Sequence, residues 1–495
     1  MDSSAVLAID QGTTGTRAIL YDASAKPIGA AYREFRQYYP RPGLVEHDPD
    51  EIWRSVLTVV RQALSRARIP SSRIAAIGIT NQRETTVLWD KASGRPVGRA
   101  IVWQDRRTAD LCQALKRRGC ERMVRRKTGL VLDPYFSGTK LQWSLRRDPS
   151  LRAKARRGGI LFGTIDTWLL WKLTGGRVHA TDFTNASRTL LLNIRTARWD
   201  PELLRLFEIP EAVLPEVRDS GSRFGETVAQ GPLCKGIPIL AILGDQQAAL
   251  YGQGCHRKGD AKNTYGTGCF VVVNLGERFR AAPPGLLATL ACDEAGRKTY
   301  AFEGSIFIAG AAVQWLRDGL GFFGRASETD RMARRVADSG GVVVIPALTG
   351  MGSPYWAPHV RGMITGLTRG TTREHIIRAT LESVAQQTAD VLERMEAATG
   401  RRVRELKADG GATANRFLMQ FQADLLGVPV RVSRIAESTA WGVAKLAAKT
   451  AGLRASRSGF DSGRGYRSFV PRMSRGQAKA HRSVWKREIA RLLAG

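Results

Sequence analysis

Short apolar runs interrupted by glycine and hydroxyl residues open the chain. Ala5-Val6-Leu7-Ala8-Ile9 is built of strand-compatible residues and ends at Asp10. Gln11-Gly12-Thr13-Thr14-Gly15-Thr16-Arg17 follows, then a second apolar run, Ala18-Ile19-Leu20-Tyr21. Glycines between two short apolar runs predict a tight hairpin. A P-loop or a Rossmann turn would open a helix instead. The same grammar returns at Asn263-Thr264-Tyr265-Gly266-Thr267-Gly268-Cys269, which leads into Phe270-Val271-Val272-Val273. One strand–Gly/Thr–strand unit in each half suggests a duplicated architecture with a phosphate-gripping hairpin per half.

Helical periodicity alternates with these strands. Residues 372–399 place Ile377, Leu381, Val384, Thr388, Val391 and Met395 at spacings of four and three, with Thr372 as the starting cap and Gly400 as the stop. Residues 52–64 repeat the pattern through Ile52, Val56, Val59, Val60 and Leu64. Strands are expected at 74–80, 85–89, 237–243 and 341–346, which makes the chain an α/β protein. At 495 residues it is too long for one ordinary core. We place the domain boundary after Gly252, giving domains 1–252 and 253–495. The Ser/Gly/Arg-rich stretch 454–468 reads as a surface loop before a C-terminal helix over 477–494.

Composition adds one unusual feature. Lys plus Arg number 76 against 45 acids, a formal charge of +31. Such a balance can signal a nucleic-acid partner, but the basic residues are scattered in pairs and triples such as Arg146-Arg147 and Arg156-Arg157. Solvated faces account for that pattern, and no nucleic-acid partner is expected. No apolar run approaches the length that crosses a bilayer, and Met1-Asp2-Ser3-Ser4 lacks the basic start of a secretory signal. The cysteines show no C-x-x-C pairing. The expected setting is the cytoplasm.

Several chemistries drop out on inspection. There is no Gly-Lys dipeptide, hence no Walker A loop, and no H-E-x-x-H, G-x-S-x-G, H-R-D or D-F-G. What remains is acids and small polar residues at strand ends. Asp10 stands before the Gly/Thr turn, where it could hold Mg2+; the Thr13 hydroxyl, the turn amides and Arg17 could grip phosphate oxygens. Asp245 follows the apolar run Ile237 to Leu243. Arg83-Glu84 follows Ile74 to Thr80, where a charged pair is wasted unless exposed or used. Asp409-Gly410-Gly411-Ala412-Thr413-Ala414-Asn415 sits between a strand and a helix and could admit a nucleotide close to the backbone.

Taken in order, these segments resemble the FGGY carbohydrate kinases over about residues 5–490. The matching stretches include Asp10-Gln11-Gly12-Thr13-Thr14, Asn81-Gln82-Arg83-Glu84-Thr85-Thr86, Trp103-Gln104-Asp105-Arg106-Arg107-Thr108, Pro134-Tyr135-Phe136-Ser137-Gly138-Thr139-Lys140, Gly244-Asp245-Gln246-Gln247 and Gly352-Ser353-Pro354-Tyr355-Trp356. The resemblance implies two RNase-H-like domains of the actin/hexokinase type (ASKHA), with an interdomain cleft. It implies phosphorylation of glycerol by ATP, giving sn-glycerol 3-phosphate and ADP. By the same resemblance, Arg83, Glu84, Tyr135, Asp245 and Gln246 would bind the glycerol hydroxyls, with Trp103 and Phe270 walling its carbons. Asp245 would be the general base, with Asp10 and Arg17 beside it in the chemistry, and Mg2+ would lie between Asp10 and Asp245. Thr13, Thr14, Gly15 and Arg17 would face the phosphates; Thr267, Gly310, Gln314, Gly411 and Asn415 would line the nucleotide side. A homo-oligomer, dimer or tetramer, is compatible with all of this. Gly15 departs from the hydroxyl residue common in the family, and Cys234-Lys235-Gly236 lacks the loop that binds a sugar bisphosphate in some members. The alternatives are a kinase of a ketopentose or sugar acid and, from another class, a nucleotide-gated binding module that uses the charge.

Overall fold

The computed structural model describes residues 4–435, 437–453 and 465–494. Two sheets dominate it. The first contains β1 (Ala5–Gln11), β2 (Gly15–Tyr21), β3 (Pro27–Glu34), β4 (Ile74–Asn81) and β5 (Pro238–Gly244), in the spatial order β5-β4-β1-β2-β3. The second repeats that order as β10-β9-β6-β7-β8, from β6 (Ala261–Tyr265), β7 (Cys269–Gly276), β8 (Lys298–Ile306), β9 (Leu406–Asp409) and β10 (Val430–Ser433). In both, the first two strands form an antiparallel hairpin and the fourth and fifth add in parallel. Leu287–Cys292 and Tyr466–Phe469 extend the edges of the second sheet. The duplicated hairpin read from the sequence is therefore the organising unit of the whole molecule.

Both faces of the first sheet are covered, which is why β1 reads as a continuous apolar run rather than an alternating one. Leu7 and Ile9 point toward helix α1 (Pro49–Ala67) and join Val56, Val59 and Ile77 in one cluster. Val6 and Ala8, on the opposite face, join a cluster that runs on through Tyr251 and Trp441 into Val271 and Leu406 of the second half. The helix bounds follow from local chemistry. The Asp48 carboxylate accepts from the backbone N–H groups of Asp50 and Glu51 at the start of α1. Helix α2 is Asp245–Gly252, and α3 is Gly310–Asp318. Helix α4 (Arg373–Thr399) stops at Gly400, whose φ of 66° is the left-handed stop.

Helices α5 (Arg416–Leu426), α6 (Ser438–Thr450) and α7 (Arg475–Ala494) complete the second half. Helix α6 lies against α2 and against strands of the first sheet. The approach is close: a Cβ on Gly442 would fall 1.9 Å from the Ala248 carbonyl oxygen. Only a residue without a side chain permits that crossing.

Some expectations shift. The strand expected at 341–346 is Val343–Ile345, paired with Met363–Thr365. The one at 85–89 is Val87–Asp90. Of the loop expected at 454–468, residues 454–464 lie outside the described residues, and Tyr466–Phe469 is a strand on the open edge of β10. An unpaired edge offers backbone groups that recruit even an Arg- and Ser-containing segment. Among the described residues no helix is long and apolar enough to cross a membrane.

Candidate active site

The β1–β2 hairpin closes on a Gly12 N–H that donates to the Gly15 carbonyl at 2.9 Å. Asp10 stands just inside the turn, opposite Arg17 in register. Burial pushes its carboxyl up to about 7, the charges of Glu437 and Asp245 add to the shift, and Arg17 opposes it. Trp103 Nε1 donates to the Thr13 hydroxyl at 2.9 Å, so a residue expected on the substrate wall and one expected on the phosphate hairpin meet directly. Thr14 is exposed. Arg17 is ion-paired with Glu437, which precedes α6, and its guanidinium lies 5.0 Å from the Tyr32 ring. The arginine expected to face phosphate is thus held by a carboxylate of the second half.

The hairpin rests on a neutral histidine. Gln37 donates to the Thr13 carbonyl at 3.0 Å, Gln82 donates to the Gly12 carbonyl at 3.2 Å, and the His47 ring lies between them. Its Nε2 is 2.5 Å from Gln37 Oε1 and its Nδ1 is 3.4 Å from Gln82 Nε2. Burial lowers the His47 pKa to about 4.

Past the end of β4, Arg83 is buried and multiply paired. Its Nε lies 3.1 Å from Asp245 Oδ1, its Nη1 and Nη2 donate to Glu303 at 2.6 and 3.1 Å, and Nη1 also reaches Gln247 Oε1 at 3.2 Å. Burial works against the guanidinium charge, but Glu303, Glu84 and Asp245 outweigh it and hold Arg83 firmly protonated. Glu84 adopts φ 61°, uncommon for a residue with a side chain, and accepts from Arg188 Nε at 2.6 Å. Burial raises its pKa against the pull of Arg83 and Arg188. The Tyr135 ring meets Trp103 edge-on at 5.5 Å, and its backbone carbonyl accepts from the buried Lys140 ammonium at 2.6 Å.

Asp245 opens α2, where the helix dipole favours a carboxylate, and keeps a third of its side chain exposed. Gln246 donates to Asp245 Oδ2 at 3.3 Å and accepts from the buried Lys262 ammonium at 2.5 Å. Phe270 is half-buried on β7, opposite Thr264 and Ser305.

The second hairpin makes the other wall. The Thr267 carbonyl accepts the N–H groups of Ala309 and Ala311 at 2.9 and 3.0 Å, seating the start of α3 on the turn. A Cβ on Gly310 would lie 2.6 Å from the Gly266 carbonyl oxygen, which explains the glycine. Gln314 is exposed on α3. Gly411 is exposed with no heavy atom within 4 Å of a notional Cβ, so its surroundings are open. Asn415 is occupied otherwise: its side-chain Oδ1 caps α5 by accepting from the Leu418 N–H at 2.9 Å, and its Nδ2 donates to the Thr329 hydroxyl at 3.0 Å.

The geometry thus gathers two acids, Asp10 and Asp245, a buried cluster of paired charges and two glycine hairpins. The N-terminal-domain model of the FGGY family of carbohydrate kinases matches residues 5–252, and its C-terminal-domain model matches 261–451. The chain belongs to the FGGY family of carbohydrate kinases. A glycerol kinase of Alkalilimnicola ehrlichii is 54% identical over 98% of this chain and 98% of its own. A glycerol kinase of Geobacillus sp. is 51% identical over 99% of both. Among solved structures, Plasmodium falciparum glycerol kinase with ADP superposes with a TM-score of 0.93 at 34% identity, covering 99% of this chain and 98% of its own. A gluconate kinase of Lactobacillus acidophilus shares the fold at 21% identity and a TM-score of 0.86, covering 100% and 99%. The two-domain ASKHA-type architecture of FGGY kinases is therefore the fold of this chain.

Within this FGGY site, the sequence reading passed over Glu303, Arg188, Lys262, His47 and Glu437. Two of them carried a signal: Glu303 and Lys262 are lone charges inside buried strand segments, Ala301 to Ile306 and Ala261 to Asn263. A buried charge needs a partner, and each points to one across the seam. Arg188, His47 and Glu437 lie in or beside turns and strand ends where nothing local marks them.

Proposed function

We propose that this chain transfers the γ-phosphoryl group of ATP to glycerol, releasing sn-glycerol 3-phosphate and ADP. The observation that carries the reading is the Asp245–Arg83–Glu84 cluster beside Trp103 and Tyr135, between the two hairpins. The glycerol kinases that resemble the chain over nearly all its length support the substrate, and the relative with ADP supports the nucleotide.

In this reading Asp245, part-exposed and 3.1 Å from the Arg83 Nε, accepts the proton of the attacking hydroxyl. The new bond joins that oxygen to the γ-phosphorus, the bond to the β–γ bridging oxygen breaks, and ADP leaves with the electron pair. Phosphoryl transfer asks little covalent help of the protein, so positioning and charge carry most of the rate. Arg83 and Glu84 supply donors and acceptors for adjacent hydroxyls; Trp103, Tyr135 and Phe270 shield the carbons. The turn amides of the β1–β2 hairpin with Thr13, Thr14 and Gly15 face the phosphates, and Arg17 joins them on leaving Glu437. Thr267, Gly310, Gln314 and Gly411 line the nucleotide side. Asn415 acts there through the position it gives the start of α5.

Asp10 and Asp245 would hold Mg2+. Among the described residues no group of three or more His, Cys, Asp or Glu is placed to hold a metal. Two carboxylates with the rest drawn from phosphate and water is a donor set that suits Mg2+. A part-buried Asp10 whose charge burial makes costly fits it too. When bound, the ion neutralises charge on the phosphates. ADP release by the purified chain with Mg-ATP, compared across glycerol, ribulose, xylulose and gluconate, tests the substrate. Turnover with glycerol alone is expected; turnover confined to a five-carbon or acid substrate overturns the reading.

A further inference from the structure

Glu303 is an acid fully buried in β8, between Phe302 and Gly304. Its carboxylate accepts three charge-assisted hydrogen bonds: from Arg83 Nη1 at 2.6 Å, Arg83 Nη2 at 3.1 Å and Arg188 Nη2 at 2.9 Å. Arg188 passes the order on, because its Nε donates to Glu84 at 2.6 Å while its guanidinium lies 5.3 Å from the Phe136 ring and 5.7 Å from the Tyr135 ring. Glu84 in turn stands 3.9 Å from Arg83 Nε. The four residues form a closed ring of alternating charge. Three of them belong to the first half of the chain, and Glu303 alone comes from the second sheet.

The two-pronged contact matters more than the charge by itself. A guanidinium bound through both Nη atoms has its plane fixed. With that plane set, the Arg83 Nε lies 3.1 Å from Asp245 Oδ1 and one Nη2 hydrogen is left to give. Without the carboxylate of Glu303, Arg83 would be drawn to Glu84 and Asp245, the acids whose lone pairs the substrate needs. We propose that Glu303 is the positioning residue of the substrate pocket: acting across the domain seam, it orients Arg83 directly and Glu84 through Arg188, so that both can read adjacent hydroxyls of a small polyol. This rests on the glycerol reading above. Glu303 needs no contact with substrate; its effect is on what Arg83 and Glu84 present.

The test is steady-state kinetics of the full chain, varying glycerol at saturating Mg-ATP and then Mg-ATP at saturating glycerol. Glu303→Gln keeps the shape and removes the charge. It should raise the KM for glycerol about 10- to 100-fold, the scale of one or two lost charged hydrogen bonds, with the KM for ATP within about twofold. Glu303→Asp should recover part of the glycerol KM, and Arg188→Lys should shift it in the same direction as Glu303→Gln. A merely structural role would move both KM values together and leave Glu303→Asp no better than Glu303→Gln; that result, or an unchanged glycerol KM, overturns the inference. Should Glu303→Gln fail to fold, the glycerol-against-ATP split in Glu303→Asp decides the matter by the same criterion. Loss of glycerol turnover in the unmutated chain would instead overturn the substrate reading, and this inference with it.

Discussion

At the scale of single residues, Gly15 and Tyr32 form a pair that neither explains alone. A Cβ on Gly15 would lie 2.5 Å from the Tyr32 hydroxyl and 2.6 Å from its ring, and Tyr32 is 45% exposed, so it has somewhere to go. Gly15→Ser should therefore push Tyr32 off the hairpin and away from Arg17, costing about 1 kcal/mol as mild overpacking. In Tyr32→Ala the same serine should cost almost nothing. Thermal unfolding of the two single variants and the double variant measures this coupling, and strictly additive effects would contradict the pairing. Gly15 was legible as a departure in the sequence, but Tyr32 was not. Only the antiparallel register of β2 and β3 places it there.

At the scale of elements, both hairpins and the long helix α4 were legible, because glycine placement and the 3.6-residue period are local signals. What holds the first hairpin was not. Its tip hangs on Gln37 and Gln82, which meet at His47, and no sequence spacing relates those three. The arrangement has a pH signature. The folded pKa of His47, about 4, lies below the ordinary 6.5, so between those values the folded chain binds fewer protons than the unfolded one. Stability from this group is present above pH 6.5 and lost as pH falls toward 4, by roughly 3 kcal/mol in all. His47→Gln removes the titration, so the variant should lose less stability than the unmutated chain between pH 6.5 and 4. Denaturant midpoints of both chains across that range give the difference. Identical acid slopes would show that His47 charges without cost.

At the scale of the whole molecule, the two halves are joined by charges that the sequence reading could not pair. Arg83 and Glu303 are 220 positions apart, and Arg17 and Glu437 are 420 apart. A lone buried charge can be seen in a strand, but its partner is set by how two sheets face each other, which no local pattern encodes. The same holds for α6, which packs on α2 through Gly442 and lies against strands of the first sheet. The motifs named most of the candidate site, and the tertiary arrangement supplied what orients it. The central claim is that Asp245 accepts the proton while its neighbours hold glycerol. The most direct measurement is glycerol-dependent ADP release by Asp245→Asn beside calorimetric glycerol binding. The expected result is a kcat lowered about 10²- to 10⁴-fold, the usual scale of a lost general base, with glycerol still bound. A near-normal kcat would contradict it.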